Sequence, residues 1–309
     1  MQATSVNTEA QTMQSVESGA VHSILRSGAR LARIPFNSMT LRRYAHMGLP
    51  EDLYPAVEFW LTNRRGHRER EVARRVEALR TQLSERGSLT VAAYGAAVGD
   101  PSTNGSLAIE DRSLEYVARR ASVPERMGLF LYLCASGFGA RHILELGACA
   151  GISGCYLASA PSCRDFVSIE ISTPLVAIAR HNLSRVTTEA RVINADFDRG
   201  LDEALSGQGE HFDLVWIDGN HLSEPTLDYF TRVRDRVAPG QLILFDDINW
   251  PEMRSAWSEI RAWPGFSHTI NFERFGIGVL KRQRDDTPPE NWSLKRRLGF
   301  TALSREQSY

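Results

Sequence analysis

From His142 onward the chain alternates short apolar runs with longer amphipathic stretches. HILEL (142–146), DFVSIE (165–170), ARVIN (190–194), FDLVWID (212–218) and QLILFDD (241–247) are each too short for a buried helix, and most are rich in Val, Ile, Leu or Phe. Helix-compatible segments of about a dozen to twenty residues separate the first of them. This pattern predicts repeated β-α units, hence a parallel sheet covered by helices on both faces. Two further strands, joined tightly near Glu273 and Arg274, are expected in SHTINFERFGIGVLK, residues 267–281. The predicted fold class is therefore α/β, with a Rossmann-like, seven-stranded, mostly parallel sheet.

Before His142 the texture differs. Residues 1–20 are polar and expected to be disordered, and residues 21–125 to form a mainly helical extension or cap. The clearest helix there is REREVARRVEALRTQLSERG, which aligns Val72, Val76, Leu79 and Leu83 on one face and stops at Gly87. The apolar run from Met127 to Ala140 is too short to span a bilayer and reads as a buried helix. The catalytic domain is placed at 126–281 and a peripheral, proline-bearing tail at 282–309.

Composition narrows the function classes. With 36 basic and 37 acidic side chains, the net charge of −1 offers no general attraction to nucleic acid or to an anionic membrane. The N-terminus lacks the basic patch and apolar core of a secretory signal. Cys134, Cys149, Cys155 and Cys163 form no CxxC pair, so reduced thiols in a cytoplasmic protein are expected.

The candidate chemistry begins at HILELGACAGIS, residues 142–153, where Gly147 and Gly151 bracket a turn between a buried strand and a helix. Such glycines let backbone approach a ligand, and the helix start offers free N–H groups. The dinucleotide pattern GxGxxG fails, because Cys149 and Ile152 stand where its second and third glycines belong. Acids follow successive strands instead: Glu170 is placed to accept from ribose hydroxyls, and Asp196 to meet an exocyclic amine.

Glu145-x-Gly147-x-x-x-Gly151, with Glu170, Asp196 and Asp218 after successive strands, resembles the class I S-adenosylmethionine-dependent methyltransferases over about residues 125–281. The resemblance implies cofactor binding by Glu145, Gly147 and Gly151 at the amino acid end, Glu170 at the ribose and Asp196 at adenine. The segments IDGNH (217–221) and FDD (245–247) are similar to the small-molecule O-methyltransferase branch, with its catechol O-methyltransferase-like and antibiotic-tailoring enzymes. In metal-dependent members of that branch the matching acids bind Mg²⁺, which here implies Asp218, Asp246 and Asp247. Hard carboxylate oxygens would hold a cation that orients a substrate hydroxyl and lowers its pKa. A metal-free reading, in which these acids cap helices or bond loop N–H groups, stands beside it. Asp218 and His221 are the catalytic candidates, His221 as a general base. Tyr94 or Arg126 is placed to reach inward from a loop at 90–100 and a helix start.

The expected function is methylation of a small molecule, at a hydroxyl or carboxyl oxygen, in specialised metabolism. Small-molecule N-methylation is the alternative, followed by RNA methylation or a non-catalytic relative that only binds the cofactor. A small-molecule acceptor is the expected partner, without nucleic acid or membrane, and a homodimer is preferred.

Overall fold

The strand that carries the glycine turn also organises the sheet around it. In the computed structural model, which describes residues 48–94, 107–207, 211–283, 285–297 and 300–306, the chain before the sheet forms helices α1 (Tyr54–Thr62) and α2 (His67–Ser84), the hairpin β1 (Ser88–Tyr94) and β2 (Leu107–Ser113), and helix α3 (Glu125–Gly137). Strands and helices then alternate as β3 (His142–Leu146), α4 (Ile152–Ala158), β4 (Asp165–Glu170), α5 (Thr173–Ser184), β5 (Ala190–Asn194), α6 (Phe197–Leu205), β6 (Phe212–Ile217), α7 (Ser223–Val233), β7 (Val237–Phe245) and α8 (Arg254–Ile260). Four strands close the chain: β8 (Phe266–Phe272), β9 (Phe275–Leu280), β10 (Glu290–Arg297) and β11 (Phe300–Arg305). The expected disorder of residues 1–20, and the extension up to residue 47, lie outside the described residues.

The sheet order is β11-β10-β8-β9-β7-β6-β3-β4-β5. β3 pairs in parallel with β4 on one side and with β6 on the other, so the winding direction reverses at β3. Such a reversal opens a crevice at the carboxyl ends of the strands, and that is where ligands bind in folds of this kind. β9 runs antiparallel to both β7 and β8. The seven expected strands are all present and contiguous, five of them in an unbroken parallel block. The segment after Lys281, read from its polar sequence as peripheral, instead adds β10 and β11 to the edge. Trp292 of β10 is completely buried, which anchors that edge to the core.

Side-chain alternation along the strands supplies two cores. Ile143, Phe166, Leu214 and Trp216 face one layer with α1 to α5, whereas Leu144, Val167, Val215 and Ile217 face the other with α6, α7 and α8. Helix α3 is buried at nine consecutive positions, Met127 to Ala135, as its unbroken apolar sequence requires. On α2 the expected stripe of Val72, Val76, Leu79 and Leu83 is buried, and Gly87 follows with φ of 79°. A third, smaller cluster ties the extension to the glycine turn: Val91 and Leu114 of the hairpin region pack with Ala150 and Leu175. Among the described residues no helix is long and apolar enough to cross a membrane.

Candidate active site

The crevice at the winding reversal is built by backbone before any side chain enters it. Gly147 has φ of 98°, and a Cβ there would lie 2.0 Å from the carbonyl oxygen of Asp218. The loops after β3 and β6 therefore touch at a place where only glycine fits. The Gly147 and Ala148 N–H groups both donate to the Ile169 carbonyl, at 3.0 and 3.1 Å, and Asp218 N–H donates to Leu146 at 3.0 Å. Gly151 caps α4 with φ of 77°, its missing Cβ accommodating Ala179.

The three acids expected at the cofactor occupy three different environments. Glu170, at the end of β4, lines the crevice. One carboxylate oxygen accepts from Cys149 N–H at 2.8 Å and the other from Ser172 N–H at 2.9 Å. Burial raises its pKa to about 7, against the opposing pull of those N–H groups. Glu145 does not line the crevice. It is fully buried behind the turn, where Ser153 and Ser168 hydroxyls donate to its two oxygens at 2.5 and 2.6 Å, and burial lifts its pKa to about 7. Glu145 shares its strand face with Ile143 and stands beneath α4, so in this structure its carboxylate meets the two serines. Asp196 is half-buried and caps α6, accepting from Arg199 N–H at 2.8 Å. The crevice is lined by its neighbour Phe197, not by Asp196 itself.

Beyond β6 and β7 the remaining candidates converge. His221 is half-buried against the crevice, with Nδ1 3.6 Å from Asp247 and Nε2 3.9 Å from Asp218. Burial lowers its pKa, so the imidazole is neutral at neutral pH. Asp218 shares a hydrogen bond with Asp246, and burial together with that neighbour pushes its pKa well above the carboxylate range. Backbone strain is concentrated here as well: Cys149, Asn220, His221 and Asp247 are four of the six non-glycine residues with positive φ among the described residues.

Arg274 had no assigned role in the sequence, yet it sits at the centre of the acids. From the two-residue turn between β8 and β9, its Nε lies 2.9 Å from both Asp246 and Asp247, and Nη2 donates to Asp246 at 2.5 Å. Asp218, Asp246 and Asp247 do come together as the metal reading requires. A divalent ion does not fit them in this arrangement, because a guanidinium already holds both Asp246 oxygens and one of Asp247. No group of three or more His, Cys, Asp or Glu side chains is arranged to hold a metal among the described residues.

The hairpin also enters the crevice. Ala92, Ala93 and Arg112 line it, and Ala92 N–H meets the Ser172 hydroxyl at 3.3 Å. Arg126 does not point inward as anticipated; it donates to the Trp60 carbonyl and lies over the Trp60 ring at 4.3 Å. The side chain of Tyr94, and the remainder of the loop to residue 100, fall outside the described residues. Asn220 was also missed: it lines the crevice and its buried Oδ1 has no hydrogen-bond partner.

A family model described as a methyltransferase domain matches residues 144–248. A catechol O-methyltransferase of Niastella koreensis is 29% identical over 130 residues, covering 41% of this chain and 58% of that protein. A catechol O-methyltransferase of Mycobacterium tuberculosis is 30% identical over 151 residues, covering 48% of this chain and 66% of that protein. The chain thus spans somewhat under two thirds of these relatives' lengths. Among solved structures, the O-methyltransferase from Bacillus cereus in complex with SAH is 21% identical, covers 72% of this chain and 94% of its own, and superposes with a TM-score of 0.48. Residues 144–248, which carry the glycine turn and strands β3 to β7 of the central sheet, thus match a methyltransferase domain.

Proposed function

We propose that this chain transfers a methyl group from S-adenosylmethionine to an oxygen of a small-molecule acceptor. The observation that carries the reading is one crevice, at the winding reversal, that joins the Gly147 turn and Glu170 to His221. The Glu170 oxygens accept backbone N–H groups, Cys149 on one and Ser172 on the other, and keep lone-pair capacity that suits the hydroxyls of a ribose. Phe197 offers an apolar face for an adenine ring, and the backbone at Gly147 allows close approach of the cofactor's polar end.

Bound S-adenosylmethionine supplies an electrophilic methyl carbon on a sulfonium. The chain's own contribution lies in holding and deprotonating the acceptor. Neutral His221 accepts the acceptor hydroxyl proton as the oxygen attacks, and Asp247 stabilises the imidazolium that forms. Trp250, 41% exposed with its ring centroid 5.3 Å from that of His221, forms a wall against which a planar acceptor would lie. Positioning of the oxygen against the methyl carbon supplies much of the rate. The curated relatives' name, catechol O-methyltransferase, supports a hydroxyl as the acceptor group. The acids around His221 disfavour a phosphodiester chain, which argues against RNA.

Calorimetry with S-adenosylhomocysteine tests the reading. The full chain is expected to bind it, and Glu170→Ala to weaken binding by about 10- to 100-fold, the worth of hydrogen bonds to a charged acceptor. Absence of binding to the unmodified chain overturns the proposal.

A further inference from the structure

Among the acids that the sequence resemblance assigns to Mg²⁺, this chain supplies a cation of its own. The guanidinium of Arg274 engages both oxygens of Asp246, at 2.9 and 2.5 Å, and one oxygen of Asp247, at 2.9 Å. Asp246 is fully buried and Asp247 nearly so, which places these contacts in surroundings where ionic hydrogen bonds are strong.

The backbone fixes the guanidinium there. Its two-residue turn is flanked by Phe272 and Phe275, both completely buried and stacked at 5.4 Å, and it passes through Glu273 at φ of 54°. The Arg274 carbonyl accepts from Ile248 N–H at 2.9 Å, which fastens the turn to the loop carrying Asp246 and Asp247. Chain segments 27 residues apart are therefore locked in register around this one contact.

Mg²⁺ at the same oxygens would require contacts of about 2.0–2.1 Å in octahedral geometry. It would also stand beside a side chain that cannot give up its charge. The half-exposed guanidinium leaves Nη1 without a hydrogen bond among the described residues, a donor available to an acceptor oxygen.

We propose that Arg274 is the resident cation of this site, that methyl transfer here proceeds without a divalent metal, and that Asp218, Asp246 and Asp247 take up such a metal only once Arg274 is removed. The claim about methyl transfer rests on the function proposed above; the claim about cation occupancy does not.

The test is a titration of metal-stripped full-length protein with Mn²⁺, read by electron paramagnetic resonance of the free ion. The unmodified chain and Arg274→Lys are expected to leave the free-ion signal unchanged. Arg274→Gln is expected to bind Mn²⁺ about tenfold or more tightly than either, since three clustered acids then lack their counter-charge. Adding Asp246→Asn to Arg274→Gln is expected to abolish that gain. Arg274→Ala provides the same comparison if the glutamine variant folds poorly. Mn²⁺ binding by the unmodified chain as tight as by the variants overturns the proposal, and so does failure of both neutral variants to bind while they still bind S-adenosylhomocysteine. Loss of S-adenosylhomocysteine binding by the unmodified chain would instead remove the methyltransferase reading and leave the Mn²⁺ comparison standing.

Discussion

The two halves of the crevice are built on opposite principles. On the side of β3 and β4, polar chemistry is done by backbone: the Gly147 turn makes the close contact, and Glu170 is held by two main-chain N–H groups. On the side of β6 and β7 it is done by side chains, as Asp218, His221, Asp246, Asp247 and Arg274 meet from three separate loops. The difference sets how each half fails. A backbone site tolerates exchange of many side chains but no added Cβ, whereas a charge network responds to the loss of one partner by leaving another charge uncompensated.

The strongest way to break the first half is Gly147→Ala. Its Cβ would fall 2.0 Å from the Asp218 carbonyl, at a φ of 98° that an L-residue rarely adopts. Strain plus displacement of the loop after β6 should cost about 3 kcal/mol or more and abolish S-adenosylhomocysteine binding. Urea unfolding and calorimetry would check this, and unchanged binding would mean that the turn is not the contact between the halves.

The same contrast explains what the sequence made legible. The β-α alternation and the acids at the strand ends are local patterns, and the structure brings Gly147, Glu170, Asp218 and His221 to line one crevice. Glu145 is buried and does not line the crevice, and the sequence carried a signal for that burial. Alternation puts it on the same strand face as Ile143, toward α4 and its Ser153, not on the edge where the loop opens. Arg274 carried no such signal. Its position depends on β9 crossing back beside β7, a contact that no local period reports. The strands β10 and β11 were hidden by the polar, proline-bearing approach to them, although buried Trp292 and Leu303 join them to the core.

A second experiment sharpens the comparison through pH. Glu145 titrates near 7 in the folded chain, raised by burial, against about 4.3 for an unperturbed glutamate. The unfolded chain therefore gives up this proton first as pH rises. The group's contribution to stability is present below about 4.3, falls between there and about 7, and is flat beyond. Over that window the loss should be on the order of 3 kcal/mol. Glu145→Gln removes the titration while keeping an acceptor for one of the two serine hydroxyls and turning an NH2 donor toward the other. Denaturant unfolding at pH 5 and pH 8 should show a smaller decline for the variant than for the unmodified chain. Equal declines would show that the serines already hold a carboxylate at low cost.

The smallest effect expected comes from His221, and its sign is opposite. Burial lowers its pKa below the ordinary 6.5, so the unfolded chain takes up this proton first as pH falls. Its contribution to stability is complete above about 6.5 and is lost as pH drops from there through the lowered folded value. His221→Asn should flatten the acid side of the stability profile, leaving the alkaline side unchanged. NMR of the ring would show His221 still neutral at pH 6.5, and an imidazolium at that pH would mean that Asp247, 3.6 Å away, outweighs burial. That outcome would also reassign the chemistry. A histidine already charged cannot take a proton from the acceptor, and the acceptor half of the crevice would then bind an oxygen that arrives as an anion, with Arg274 and the imidazolium as its partners.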